Sequence, residues 1–225
     1  VFYLGSFFAL FNPFALLCGL LSVSMLVLHG SGWLVLKVEP GPVQSRARTF
    51  GLLAAPASLV LFAVGGAWVA WGDVGFRITG TTDPFGPSNP LRTVVEAAPG
   101  AWLDNYRLAP ATLLAPAAGL LGSLLALLGN RWHRQRLAFA GSALGCAGII
   151  ATVGVSMFPF ILPSSADVHS SLTVWNASST RHTLGIMLLV VVVFLPLVLG
   201  YTAWALRVMR GRVTSHEIGI NPDLY

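Results

Sequence analysis

Charge is what this sequence has least of. Thirteen Lys and Arg and eight Asp and Glu are spread over 225 residues, so 9% are charged, against about 25% in soluble proteins. Charge is absent altogether from five stretches: Pro13–Leu36, Phe50–Trp71, Ala109–Gly129, Leu137–Met157 and Thr183–Leu206, the shortest of 21 residues. About 20 helical residues cross a hydrocarbon core of roughly 30 Å. A backbone amide in that core has no water to bond, so each stretch is expected to satisfy itself as a helix. The shortage excludes an ordinary soluble domain. It predicts an all-α integral membrane protein, a bundle of five transmembrane helices over 13–36, 50–71, 109–129, 137–157 and 183–206. Residues 1–12 read as an outer interfacial segment, rich in Phe, and 207–225 as a cytoplasmic tail.

Cysteine is nearly absent too. Cys18 and Cys146 lie inside spans, at depths that differ by about 9 Å at the helical rise. That excludes a disulfide, and both read as small packing residues. No H-x-x-H, E-x-x-H or C-x-x-C spacing occurs, so no metal ligand is expected. The spans also lack the acidic and basic groups that proton or ion pathways keep at depth. His29 is the one histidine within a span and reads as an interfacial residue reaching headgroups. Phosphate-loop and dinucleotide fingerprints are missing. Ser and Thr cluster over residues 164–180 near His169 and His182. That proximity has no nucleophile–base spacing, so the hydroxyls are read as bonding backbone in a turn-rich loop. No catalytic residue is expected. Asn176-Ala177-Ser178 fits a glycosylation sequon.

What charge there is sets the orientation. The formal net charge is +5, but the basic residues sit at span ends and form no stripe for nucleic acid. Lys37, Arg46, Arg48, Arg131, Arg134, Arg136, Arg207, Arg210 and Arg212 share one face; Arg77, Arg92, Arg107 and Arg181 share the other. The richer face is expected to be cytoplasmic, so the chain starts outside and ends inside. It opens at Val1 rather than Met, which reads as the later part of a longer polypeptide.

Proline and glycine punctuate the spans. Pro56, Pro116 and Pro196 are expected to kink them. Gly141 and Gly145 form a small-xxx-small pair that lets another helix backbone approach. The short turn 130–136 makes the spans beside it antiparallel neighbours. Outside the spans, Gly72–Leu108 is the longest connector, long enough to suggest function or a partner. The densest feature is MFPFILPSS (157–165), followed by SLTVWNASS (171–179). Prolines four apart bar a straight helix. Phe158, Pro159, Pro163, Ser164, Ser165 and Trp175 are the candidate contact residues for a partner at the outer surface, with Gly141 and Gly145 as candidate structural contacts.

These runs carry a resemblance. MFPFILPSS and SLTVWNASS are similar to subunit II of the cytochrome bd-type quinol oxidases. So are FFALFNPFALLCGLLSVSML (7–26), SNPL (88–91), GAWL (100–103), YTAW (201–204), GRVT (211–214) and the closing Leu224-Tyr225. The resemblance is collinear over essentially the whole chain. It implies a subunit of a complex that takes electrons from membrane quinol and reduces oxygen to water, in a bacterial inner membrane. It implies that haems b and d lie in the partner, subunit I, that this chain binds none directly, and that its apolar body has room for a structural quinone or lipid. The role implied is a scaffold packed on the haem-bearing subunit. Two other readings stand beside it. One is a transporter or permease fragment. The other is a quinone-binding membrane module, with Trp33, Trp132 and Trp204 near the inner face.

Overall fold

The computed structural model describes residues 6–80, 86, 89, 93–165, 167–208 and 211. The Arg92, Arg210, Arg212 and His216 positions, most of SNPL, and the tail beyond 211 lie outside these described residues. Among them are five helices long and apolar enough to cross a membrane: Pro13–Lys37, Pro42–Trp71, Pro110–Arg131, Gln135–Met157 and Arg181–Val208. Of the segment 1–12, the described part holds a 3-10 turn, Phe7–Leu10, with Phe7 and Phe8 exposed.

Helix α1 (Pro13–Lys37) starts where the sequence provides an N-cap. The Asn12 side chain accepts from the Ala15 N–H at 2.7 Å, and Pro13 at the first position has no N–H to satisfy. Helix α2 (Pro42–Trp71) begins well before the charge-free stretch, so Arg46 and Arg48 lie on its first turns. The reason is Gln44. Its buried side-chain amide donates to Val35 O at 3.1 Å and Val38 O at 2.9 Å. One side chain thereby closes the orphan carbonyls of α1 and anchors the start of α2. At the far end of this hairpin Phe14 meets Trp68 edge-on, centroids 5.9 Å apart.

Helices α4 (Leu114–Arg131) and α5 (Gln135–Met157) are joined by three residues and pack backbone to backbone. A Cβ on Gly141 would lie 2.5 Å from Ala126 N, one on Gly122 2.6 Å from Gly145 Cα, one on Gly148 2.6 Å from Ala118 C. Gly129 sits as tightly on Ala138. Only hydrogen fits at these points, so van der Waals contact along the whole interface holds the pair. Gly32 of α1 reaches α5 near Phe139, and Gly51 of α2 reaches Ser31 and Asn130. The core at the centre is accordingly small: Leu28, Ala54, Ala55 and Ala126. Pro116 falls in the first turn of α4, preceded by the 3-10 turn Pro110–Leu113. A first-turn N–H has no intrahelical partner, so Pro116 disrupts nothing there. Pro56 lies inside α2.

The connector after α2 is folded. Strands β1 (Phe76–Ile78) and β2 (Val95–Ala97) pair, and helix α3 (Asp104–Leu108) follows a 3-10 turn at Ala101–Leu103. Trp102 is buried near Phe76, and Arg77 pairs with Asp104 at the surface. The chain divides into two compact units. The helices α1 to α5 belong to the first. The second, within 78–95 and 159–212, holds strands β3 (Phe160–Leu162) and β4 (Leu172–Thr173) and helix α6 (Arg181–Val208). Helix α6 contains Pro196 and has no buried residue.

Candidate functional site

The Pro-aromatic segment begins where α5 is stopped. The stop is made from α3: Asn105 Nδ2 donates to Val155 O at 2.8 Å and to Phe158 O at 2.6 Å, with Ser156 O more distant at 3.5 Å. Beside it Tyr106 Oη meets Ser156 Oγ at 2.7 Å. Asn105 thus caps the orphan carbonyls of a spanning helix, and Tyr106 ties a hydroxyl of its last turn to the same connector. Sequence reasoning missed both. Nothing local to Asn105 marks a partner fifty residues away.

Past the cap the chain turns extended. Strand β3 pairs antiparallel with β4, Phe160 opposite Thr173 and Leu162 opposite Leu172, with an irregularity between them. Pro159 has no N–H to give, but its carbonyl accepts from Val174 N at 2.9 Å. Phe160 is buried, while Phe158, Ile161 and Leu162 are exposed. Asn176 closes the return: Oδ1 accepts from Thr173 N at 2.7 Å and Nδ2 donates to Ser171 O at 3.1 Å. It is 2% exposed, so the sequon is shut to a glycosylating enzyme. Ser171 Oγ accepts from Ser164 N, and Ser164 Oγ from Asp167 N. Asp167 is held below its ordinary 3.8 by the Ser170 hydroxyl first, then by the His169 backbone N–H. The hydroxyls of Ser164, Ser170, Ser171 and Ser178 are thus spent on backbone and on Asp167, while the buried Thr173 Oγ1 has no partner. Of the candidate contact residues, Phe158 and Ser165 are exposed; Pro163, Ser164 and Trp175 are half-buried. Gly141 and Gly145 face α4 of the same chain.

Inside the bundle His29 has partners. Its Nδ1 lies 3.0 Å from Ser142 Oγ. That hydroxyl already donates to Phe139 O at 2.8 Å. With that hydroxyl hydrogen on Phe139 O, Nδ1 is placed to donate to Ser142 Oγ. The ring stacks on Phe139 at 5.2 Å, and Trp33 packs on the same Phe with Lys37 over its own face. The sequence placed His29 at the headgroups; the structure seats it between α1 and α5. Cys146 donates weakly to Met25 O, and Cys18 is exposed on α1. Among the described residues no three His, Cys, Asp or Glu come together as a metal-binding group.

Comparison with known proteins decides the family. The family described as cytochrome bd terminal oxidase subunit II matches residues 1–209. The chain belongs to that family. It is 41% identical over 219 residues to the probable cytochrome oxidase subunit 2 of Haemophilus influenzae, covering 97% of this chain. It is 41% identical over 221 residues to the cytochrome bd-I ubiquinol oxidase subunit 2 of Escherichia coli K12, covering 98%. The cytochrome bd ubiquinol oxidase subunit 2 of Bacillus subtilis is 32% identical over 94 residues. The chain spans 57% and 58% of the length of the first two relatives. As a member of the subunit II family it is an all-α membrane protein, with five candidate membrane spans among the described residues.

Proposed function

We propose that this chain works as part of a haem-free subunit II in a bacterial quinol:oxygen oxidoreductase, and that it packs on and stabilises a haem-bearing partner subunit. It is a non-catalytic member of a respiratory electron-transfer complex. The carrying observation is the family match over residues 1–209 together with the two relatives at 41% identity, one named a ubiquinol oxidase subunit. Exposed apolar side chains at Phe158, the cap of α5, and at Ile161 and Leu162 on strand β3 support a partner contact there. Haems b and d reside in the partner on this reading. A quinone or lipid occupies apolar surface of this chain without a catalytic role.

The two prolines carry the test. Each fixes its own φ and limits the unfolded chain, so Pro159→Ala with Pro163→Ala should loosen the segment by about 1–2 kcal/mol. Complex purified with both changes is expected to hold less haem and to turn over quinol more slowly. Unchanged haem content and unchanged turnover remove the scaffold role from this segment.

The basic end of the bundle faces the cytoplasm on this proposal. In a chain with Cys18→Ser and Cys146→Ser, the thiol of Arg134→Cys should react with an impermeant maleimide in inverted vesicles only. Reaction in intact spheroplasts reverses the assignment.

A further inference from the structure

One end of the four-helix bundle gathers cations from two elements round a single concavity. Helix α4 closes with Trp132 N–H donating to Leu128 O at 2.9 Å and Arg134 N–H to Gly129 O at 2.8 Å. That pattern needs a left-handed residue between them, ordinarily glycine. Here it is His133, at φ 57°. A side chain in this conformation is strained, and His133 uses it to reach α2, where its Nδ1 meets Arg48 Nη1. The Arg48 Nε is shut from water and has no partner. Guanidinium has no acceptor, so Arg48 Nη1–H donates and His133 Nδ1 accepts, which leaves the ring hydrogen on Nε2 as a free donor. Among the described residues, Arg48, Arg131, Arg134 and Arg136 form no ion pair.

The same turn opens a shallow cavity of about 370 Å³, lined by His133, Arg134, Gln135, Arg136 and Leu137. It lies over the start of α5, whose N-cap residue, Arg134, makes no side-chain cap bond. A helix start offers N–H groups and partial positive charge, and here the guanidinium groups of Arg134 and Arg136 and the ring of His133 flank it. Arg48 adds a third cation from α2, held beside the cavity by its bond to His133. Like charges brought together this way repel unless an anion joins them. The position says which anion. The turn is only three residues long and joins two spanning helices, so it lies at headgroup depth. Trp132 is exposed beside it, an amphipathic ring suited to that depth. Leu137 at the cavity edge starts the charge-free stretch of α5, against which an acyl chain can lie.

We propose that Arg48, His133, Arg134 and Arg136 bind the phosphate of an anionic phospholipid. The juxtaposition of Arg48 with a left-handed His133 distinguishes this from basic residues that serve orientation alone. Orientation needs charge near a span end, but it needs no strained turn, no concavity and no arginine held on a histidine of the next hairpin.

The test uses the full chain, purified from its membrane with its native subunits and stripped of loosely held lipid. Native mass spectrometry then follows binding of phosphatidylglycerol, phosphatidylcholine and, in a third arm, inorganic phosphate. Phosphatidylglycerol should remain bound while phosphatidylcholine is lost. Arg134→Gln with Arg136→Gln should weaken phosphatidylglycerol about ten-fold or more, since each cation near an anionic headgroup is worth several-fold. Arg207→Gln, a charge lost from α6, should leave it unchanged. His133→Gly keeps the turn and removes the ring, and should weaken binding several-fold. Equal retention of the two lipids overturns the proposal, as does phosphatidylglycerol binding unchanged by the arginine pair. Displacement of the lipid by millimolar inorganic phosphate overturns the lipid as ligand. Should the arginine pair fail to assemble, His133→Gly decides by the same criterion.

Discussion

Gly148→Ala should cost this protein about 3 kcal/mol or more, while Gly154→Ala, less than two turns away on the same helix, should cost nothing. The first places a methyl group 2.6 Å from Ala118 C and 2.7 Å from Gly119 Cα. Those atoms are backbone, so no side chain can swing aside, and α4 must move away from α5. Overpacking of this kind costs about 1–3 kcal/mol where side chains can adjust, and more where they cannot. At Gly154 a methyl group meets nothing within 4 Å. There the change removes only the backbone freedom of glycine, a gain of up to about 1 kcal/mol. Thermal unfolding of the two purified variants checks the pair. The opposite signs matter more than the sizes. Equal stability of the two variants would show that α4 and α5 do not meet through backbone.

Asn105→Asp should be worse than Asn105→Ala, although aspartate has the shape of asparagine. Alanine removes two good hydrogen bonds to the end of α5, about 1–2 kcal/mol in all at roughly 1 kcal/mol net for each. Aspartate removes the same bonds and then turns carboxylate oxygens on the carbonyls of Val155 and Phe158. The end of a helix already carries partial negative charge, which adds about 0.3–1 kcal/mol of repulsion. The expected loss is about 1–3 kcal/mol, always the larger of the two. Urea or thermal unfolding of the three proteins ranks them. If aspartate is tolerated as well as alanine, the amide is not capping α5.

The spans were legible in the sequence because hydrocarbon rejects charge outright, and that needs no knowledge of neighbours. Their ends were less so. Arg46 and Arg48 read as a polar connector, but Gln44 extends α2 back to Pro42 by bonding the carbonyls of α1. That bond depends on a turn geometry that composition does not reveal. The glycine pair in α5 announced close packing, yet its partner in α4 could not be named, since glycine recurs in most of the spans. His29 shows the same limit. A lone histidine near the end of a span is usually interfacial, and only the fold brings in Ser142, 113 residues away. Within the Pro-aromatic segment, two prolines excluded a helix. They did not reveal which side chains of the strand point outward, because the alternation covers only three residues.

The glycine contacts between α4 and α5 also limit how this molecule can move. Each hydrogen-only point fits opposite one particular stretch of its neighbour, so slipping by a residue would drive Leu125 or Leu144 into a gap made for no side chain. The hairpin thus behaves as a single strut. Any shape change in the bundle has to be taken up where α1 and α2 lean against it, and not along its own seam.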